Sequence, residues 1–165
     1  MLEFSRTGKT CTDMKSTDSE EIVRRVMKDL RVAIDEAKAV VTFDPLPVVL
    51  ARPFQMNQVF QNLIGNAIKF HDGKPPTIHV RAERKDLVWV FSVIDNGISI
   101  AQENVERVFA IFQRLPTRNE YPGNGIGLAV CRKIVEQHGG KIWMEPNAIS
   151  GATVKFTWPA NILDN

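Results

Sequence analysis

Phe54-Gln-Met-Asn-Gln-Val-Phe-Gln-Asn-Leu-Ile-Gly-Asn-Ala-Ile-Lys-Phe70 decides how the rest of the chain is read. Phe54, Val59, Phe60, Leu63, Ile64, Ala67, Ile68 and Phe70 predict a helix with one apolar side. His71-Asp72-Gly73 ends it. Downstream, 77–83 and 88–94 alternate or run apolar across Lys85-Asp86, which predicts a β-hairpin. Val105, Val108, Phe109 and Phe112 mark a helix over about 102–111, and a polar loop with Pro116, Pro122 and Gly123 fills 114–124. A further helix starts near Gly127 and ends at Gly139-Gly140, and 141–144 with 153–158 form a last hairpin.

Upstream, Thr17 followed by Glu20 is a capping-box pattern. Behind it Ile22, Val23, Val26, Met27, Leu30, Ala33, Ile34 and Ala37 predict one helix of about 20 residues. Segments 40–43 and 48–50 read as two short strands around a turn at 44–47. Residues 2–6 are compatible with the last turn of a preceding helix or with a disordered leader. The domain is expected over 17–160, with 161–165 as a tail. Hairpins dominate this order, so the sheet should be mixed and mostly antiparallel, with the helices on one face. That is a two-layer α/β (α+β) sandwich.

A chain of 165 residues is one domain. Its 21 Lys and Arg against 19 Asp and Glu leave a net charge of +2, which argues against nucleic acid as a partner. With 44% apolar residues, wholesale disorder is excluded. Cys11 and Cys131 stand far apart without metal-ligand spacing, so a reduced, cytoplasmic setting is expected. No apolar run approaches the about 20 residues of a membrane span, and no signal-peptide core is visible.

Four features carry chemistry. Asn62, Asn66 and Lys69 lie on one helical face, where mid-helix asparagines are disfavoured. An amide oxygen is a hard ligand for Mg²⁺ and a lysine a partner for phosphate, although a solvated helix face would look the same. Asp95-Asn96-Gly97-Ile98-Ser99 follows an apolar strand. Asp95 can accept from an exocyclic amine and Gly97 permits close backbone approach, or the segment is an Asn-Gly turn. Gly123-Asn124-Gly125-Ile126-Gly127 feeds a helix N-terminus, a phosphate site or a lid hinge. Arg114 and Arg118 sit in the loop before it, as parts of a lid or as surface charges.

In this order the motifs resemble the ATP-binding catalytic domain of sensor histidine kinases, within the Bergerat (GHKL) fold shared with gyrase B, Hsp90 and MutL. The likeness covers about residues 18–160. Segment 58–70 is similar to the N box, 95–99 to the G1 box, 108–114 to the F box, 123–128 to the G2 box, and Gly151-Ala152-Thr153 to a shortened G3 box. The wording of 112–121 resembles phytochrome-type kinases.

The resemblance implies that Asn66 holds Mg²⁺ with Asn62 beside it, and that Lys69 and Arg114 neutralise phosphate. Asn62, Lys69 and Arg114 are thereby the implied catalytic residues. It also implies that Asp95 reads the adenine amino group of ATP and that Gly97 lets the base approach. Gly123, Gly125 and Gly127 hinge the lid and offer amides. Thr153 lines the adenine side, while Phe70 and lid-side residues such as Leu128 touch the base. The chemistry implied is phosphoryl transfer, in which the protein supplies positioning and charge neutralisation.

Ser99 replaces the second glycine of the G1 pattern, and Ala152 stands inside the G3 box. His71, His79 and His138 do not fit the family's phosphoacceptor, so that histidine is expected on a separate dimerisation domain, with residues 1–16 the tail of its helix and a linker. A response regulator is the implied downstream partner. The fragment is expected to be monomeric and the full-length protein a homodimer. Two other readings are a degenerate nucleotide-binding or docking module, motivated by Ser99, and an ATPase clamp. The clamp needs a glutamate base near the start of the N box, where Gln58 and Gln61 stand, so hydrolysis is expected to be negligible.

Overall fold

The computed structural model describes residues 14–69, 75–97, 125–146 and 151–160. In chain order its elements are β1 (Lys15–Asp18), α1 (Ser19–Asp29), α2 (Arg31–Ala37), β2 (Val40–Phe43), β3 (Val48–Ala51), α3 (Pro53–Lys69), β4 (Thr77–Lys85), β5 (Val88–Asp95), α4 (Gly125–Gln137), β6 (Ile142–Pro146) and β7 (Ala152–Pro159). The helix expected over 102–111 and the loop 114–124 lie outside the described residues, as do Phe70, Ser99, Arg114 and Gly123.

β2, β4, β5, β7 and β6 form one sheet in that order. Every pairing is antiparallel except β2 with β4, which is parallel. The register puts Val80 opposite Val93, Phe91 opposite Phe156 and Met144 opposite Val154, so one face of the sheet is apolar across these strands. The helices cover that face. Phe60 of α3 meets Phe91 and Phe156 edge-on at 5.8 and 5.5 Å, while those two rings stack on each other at 5.1 Å. This aromatic triad seats α3 over β5 and β7, two residues before Asn62.

Three expectations need correction. Thr17 is not the helix cap: it lies in β1, its hydroxyl donating to Lys15 O at 2.9 Å, and Asp18 caps α1 by accepting from Glu20 N–H at 3.0 Å. Asp18 wins because β1 pairs with β3 and holds Thr17 in the ladder opposite Val49. The single helix behind it is two, α1 and α2, with Leu30 between them outside helical geometry. The two short strands read on either side of 44–47 are present as β2 and β3; β2 joins the large sheet and β3 pairs with β1. Phe54 is not on the buried side of α3 but 81% exposed. The buried positions start at Met56, two residues on and so just over half a turn away.

At the end remote from β5's last residue, β7, β3 and α4 are laced together. Trp158 Nε1 donates to Leu50 O at 3.1 Å. The His138 ring packs on Trp158 with centroids 4.4 Å apart. His138 Nε2 accepts from the Arg52 N–H at 3.4 Å, which leaves Nδ1 to donate to Ile134 O at 2.8 Å. Burial lowers the His138 pKa from 6.5; the bond to Ile134 opposes this and the Arg52 charge adds to it. The unfolded chain therefore takes up a proton near pH 6.5 that the folded chain resists. Stability from this group is complete above 6.5 and is lost as pH falls below it. Denaturant unfolding between pH 7.5 and 5.5 is expected to show a loss that shrinks in His138→Gln; equal slopes for the two proteins would refute the assignment.

Candidate nucleotide site

Two groups of polar residues lie on the helix-covered side of the sheet. The first is on α3. Asn62 and Asn66 are half-buried, one turn apart, and Lys69 is exposed in the last turn. Asn62 hydrogen-bonds the thiol of Cys131 on α4. That thiol also approaches Val59 O at 3.8 Å, and burial pushes its pKa up to about 12, so it is a packing group with no nucleophilic character. Asn62 thus joins the two helices that carry the site.

The second group closes the end of β5. Asp95 alternates in step with Phe91 and Val93, which turns its carboxylate to the helix side. Its Oδ1 accepts from the Gly97 N–H at 2.8 Å and the Ala152 N–H at 3.4 Å. Burial raises its pKa above 3.8, with the two amide bonds pulling the other way. Gly151, at φ +85°, lies so close that a Cβ would stand 2.1 Å from Asp95 O. A mostly buried carboxylate, an acceptor only, is therefore held in a wall made of backbone.

α4 begins at Gly125, two residues earlier than expected, so Gly125, Gly127 and Leu128 fall in its first turn. The leading N–H groups of a helix have no acceptor within it and carry the positive end of the dipole, which suits an anion. Thr153 is the one described site residue placed elsewhere. It pairs with Ile94 and so faces away from the side that Asp95 and Ala152 share. The amide of Ala152, one residue earlier, takes the position expected of it. Gly151, Ala152 and Asn96 lie inside motifs read from the sequence but were given no role of their own there; a glycine opening a strand was the available signal for the first.

A two-layer sandwich with its polar groups gathered between one helix and the end of a central strand is the architecture of histidine kinase catalytic domains. The catalytic domain of histidine kinase ThkA superposes with a TM-score of 0.76 at 30% identity, covering 88% of this chain and 95% of that one. ShkA, solved full-length in complex with AMPPNP, gives 0.75 at 26% identity over 88% of this chain and 31% of its own. ThkA in complex with the response regulator TrrA gives 0.73 at 26% identity, covering 99% of this chain and 50% of that one. Cyanobacterial phytochrome A of Nostoc sp. is 46% identical over 159 residues, 96% of this chain, in agreement with the phytochrome wording of 112–121. The chain spans about a fifth, 21%, of that relative's length. Residues 51–162 match the family described as histidine kinase-, DNA gyrase B-, and HSP90-like ATPase, and the chain belongs to it.

Proposed function

We propose that the chain binds Mg·ATP between α3, the end of β5 and the start of α4, and positions its γ-phosphate for transfer to a histidine on a separate dimerisation domain of the same protein. The Asp95 carboxylate carries this reading: partly buried, oriented by two amides and on the same side of the sheet as Asn66, it selects the 6-amino group of adenine. Gly97 lets the base lie against backbone, and Phe70 and Leu128 give it apolar contact. Lys69 and Arg114 offset phosphate charge, and the amides of Gly123, Gly125 and Gly127 receive phosphate oxygens.

Among the described residues no group of three or more His, Cys, Asp or Glu gathers to cage a cation. A single amide oxygen on α3 fits Mg²⁺ instead, because this ion keeps waters and is held largely by substrate phosphates. Asn66 would hold it, with Asn62 beside it. When bound, Mg²⁺ supplies charge neutralisation across the phosphates. Asn66→Ala is expected to lower Mg·ATP affinity about tenfold, the worth of one such contact, while ATP in EDTA binds both proteins equally. An equal loss in EDTA would remove Asn66 from the metal.

The decisive test is transfer of radiolabelled γ-phosphate to a separately supplied histidine-bearing helix hairpin, followed by a response regulator. Transfer supports a kinase; Mg·ATP binding without transfer supports the degenerate module. Steady phosphate release without the hairpin would indicate a clamp ATPase, against which the side chains of Gln58 and Gln61, exposed and unable to act as base, argue. Among the described residues no helix is long and apolar enough to cross a membrane, in keeping with a domain working in the cytoplasm.

A further inference from the structure

Asn96 continues a strand pairing with its side chain. The β4–β5 ladder ends at the pair Ile78 and Asp95. One step beyond, Asn96 Oδ1 accepts from the Thr77 N–H at 2.9 Å, and Nδ2 donates to Pro75 O at 3.5 Å. A carboxamide has the donor and acceptor of a peptide group, so it replaces the missing rung. Beside this pin the main chain turns at 96–97, and the Gly97 N–H donates to Asp95 Oδ1 at 2.8 Å. The next carbonyl in this segment, Pro76 O, is taken by Val40 N–H of β2 at 2.9 Å. Residues 75–77 are therefore pinned from both sides, by β2 and by Asn96.

The position of this pin matters. Lys69 ends α3, and only residues 70–74 join it to Pro75. Asn96 therefore ties the turn that holds Asp95 to the segment that leaves the Asn62–Asn66–Lys69 helix. We propose that Asn96 is a positioning residue that sets the span between the adenine end and the phosphate end of the site. It need not touch the nucleotide. This rests on the Mg·ATP reading above.

Such a residue has a signature that a stabilising residue lacks. A ligand touching one end of the site should be indifferent to Asn96, and a ligand spanning both ends should not. Adenosine and ADP are the probes, titrated by heteronuclear NMR against the folded chain. Asn96→Ala is expected to weaken ADP about tenfold while adenosine changes less than twofold. Thr77→Pro deletes the N–H that Asn96 accepts, without altering Asn96, and proline is tolerated at the first residue of a strand. It should reproduce the same split, and the double variant should bind ADP within twofold of Asn96→Ala alone, since Thr77→Pro removes the shorter of the two hydrogen bonds that Asn96→Ala removes. Thr77→Pro also serves if Asn96→Ala does not fold.

Equal weakening of adenosine and ADP, no weakening of either, or additive losses in the double variant would each overturn the proposal. If ADP binding to the parent chain is insensitive to Asp95→Asn, the nucleotide reading itself fails and the proposal falls with it. If Asp95→Asn abolishes binding and Asn96→Ala does not separate the probes, the nucleotide reading stands and only the role of Asn96 is lost.

Discussion

Asp95→Asn is expected to lower affinity for Mg·ATP about 100-fold, close to 2.7 kcal/mol, without lowering the thermal midpoint of the domain. The binding loss follows from replacing a charged acceptor, aimed at an amino group, by an amide whose NH₂ opposes it. The stability result follows from the same burial. Asn Oδ1 can still accept from Gly97 and Ala152, the two bonds Asp95 Oδ1 makes. What disappears is the cost of a desolvated charge, the main cause of the raised Asp95 pKa. Because the folded value lies above 3.8, the folded chain holds the proton more tightly than the unfolded one. The contribution of Asp95 to stability is therefore complete below 3.8 and is lost as pH rises through the raised value. Any stability advantage of Asp95→Asn at pH 7.5 should narrow as pH is lowered towards 4. Isothermal titration and pH-resolved denaturation measure the two halves. A variant that binds normally would move adenine recognition away from Asp95, and one that unfolds at lower temperature would make the carboxylate a structural group. Sites that give up stability for recognition are common.

Gly151→Ala is the second large effect, and it has an internal control. A Cβ at 151 would lie 2.1 Å from Asp95 O and 2.7 Å from Asn96 Cα, on a residue whose φ is +85°. Neither partner is a flexible side-chain end, so the β5 turn itself must move. Steric displacement and left-handed strain together should cost about 3 kcal/mol or more. Gly140→Ala is similarly crowded, its Cβ 2.0 Å from Thr157 O, but it lies at the far end of β7, beside the start of β6. Both variants should lower the urea midpoint. Only Gly151→Ala should also weaken Mg·ATP at least tenfold when measured at a temperature where each is still folded. Equal affinities for the two folded variants would show that the approach of β7 to the Asp95 turn serves the fold alone.

Much of this was legible because periodicity survives in a single sequence. The stripe from Val59 to Ile68 could bury only one side of a helix, and the alternation in β4, β5 and β7 could serve only a sheet with one covered face. Asp95 was legible as an acceptor-only carboxylate after an apolar strand, beside the alternative of an Asn-Gly turn, and only the family resemblance assigned it to adenine. Phe54 was misread because an aromatic near a stripe looks like part of it until the first helical residue is known. Thr17 was misread because a capping hydroxyl and a strand hydroxyl are the same residue type, and only pairing with β3 separates them.

The amino-acid sequence by itself carried the two-layer architecture, through local period, and the ordered motifs whose resemblance pointed to the family and implied which residues would meet adenine, phosphate and a hard cation. Tertiary structure alone decided which strand neighbours which: β2 runs parallel beside β4, and β3 leaves for β1. It also decided that Ala152 and not Thr153 faces Asp95, that Gly151 lies against the β5 turn, and that Asn96 reaches back to Thr77. These contacts join residues 19 to 57 positions apart, and no local pattern encodes them. They exist because burying the aromatic triad of Phe60, Phe91 and Phe156 brings α3, β5 and β7 together, and the polar groups at their ends must then find partners where the packing leaves them.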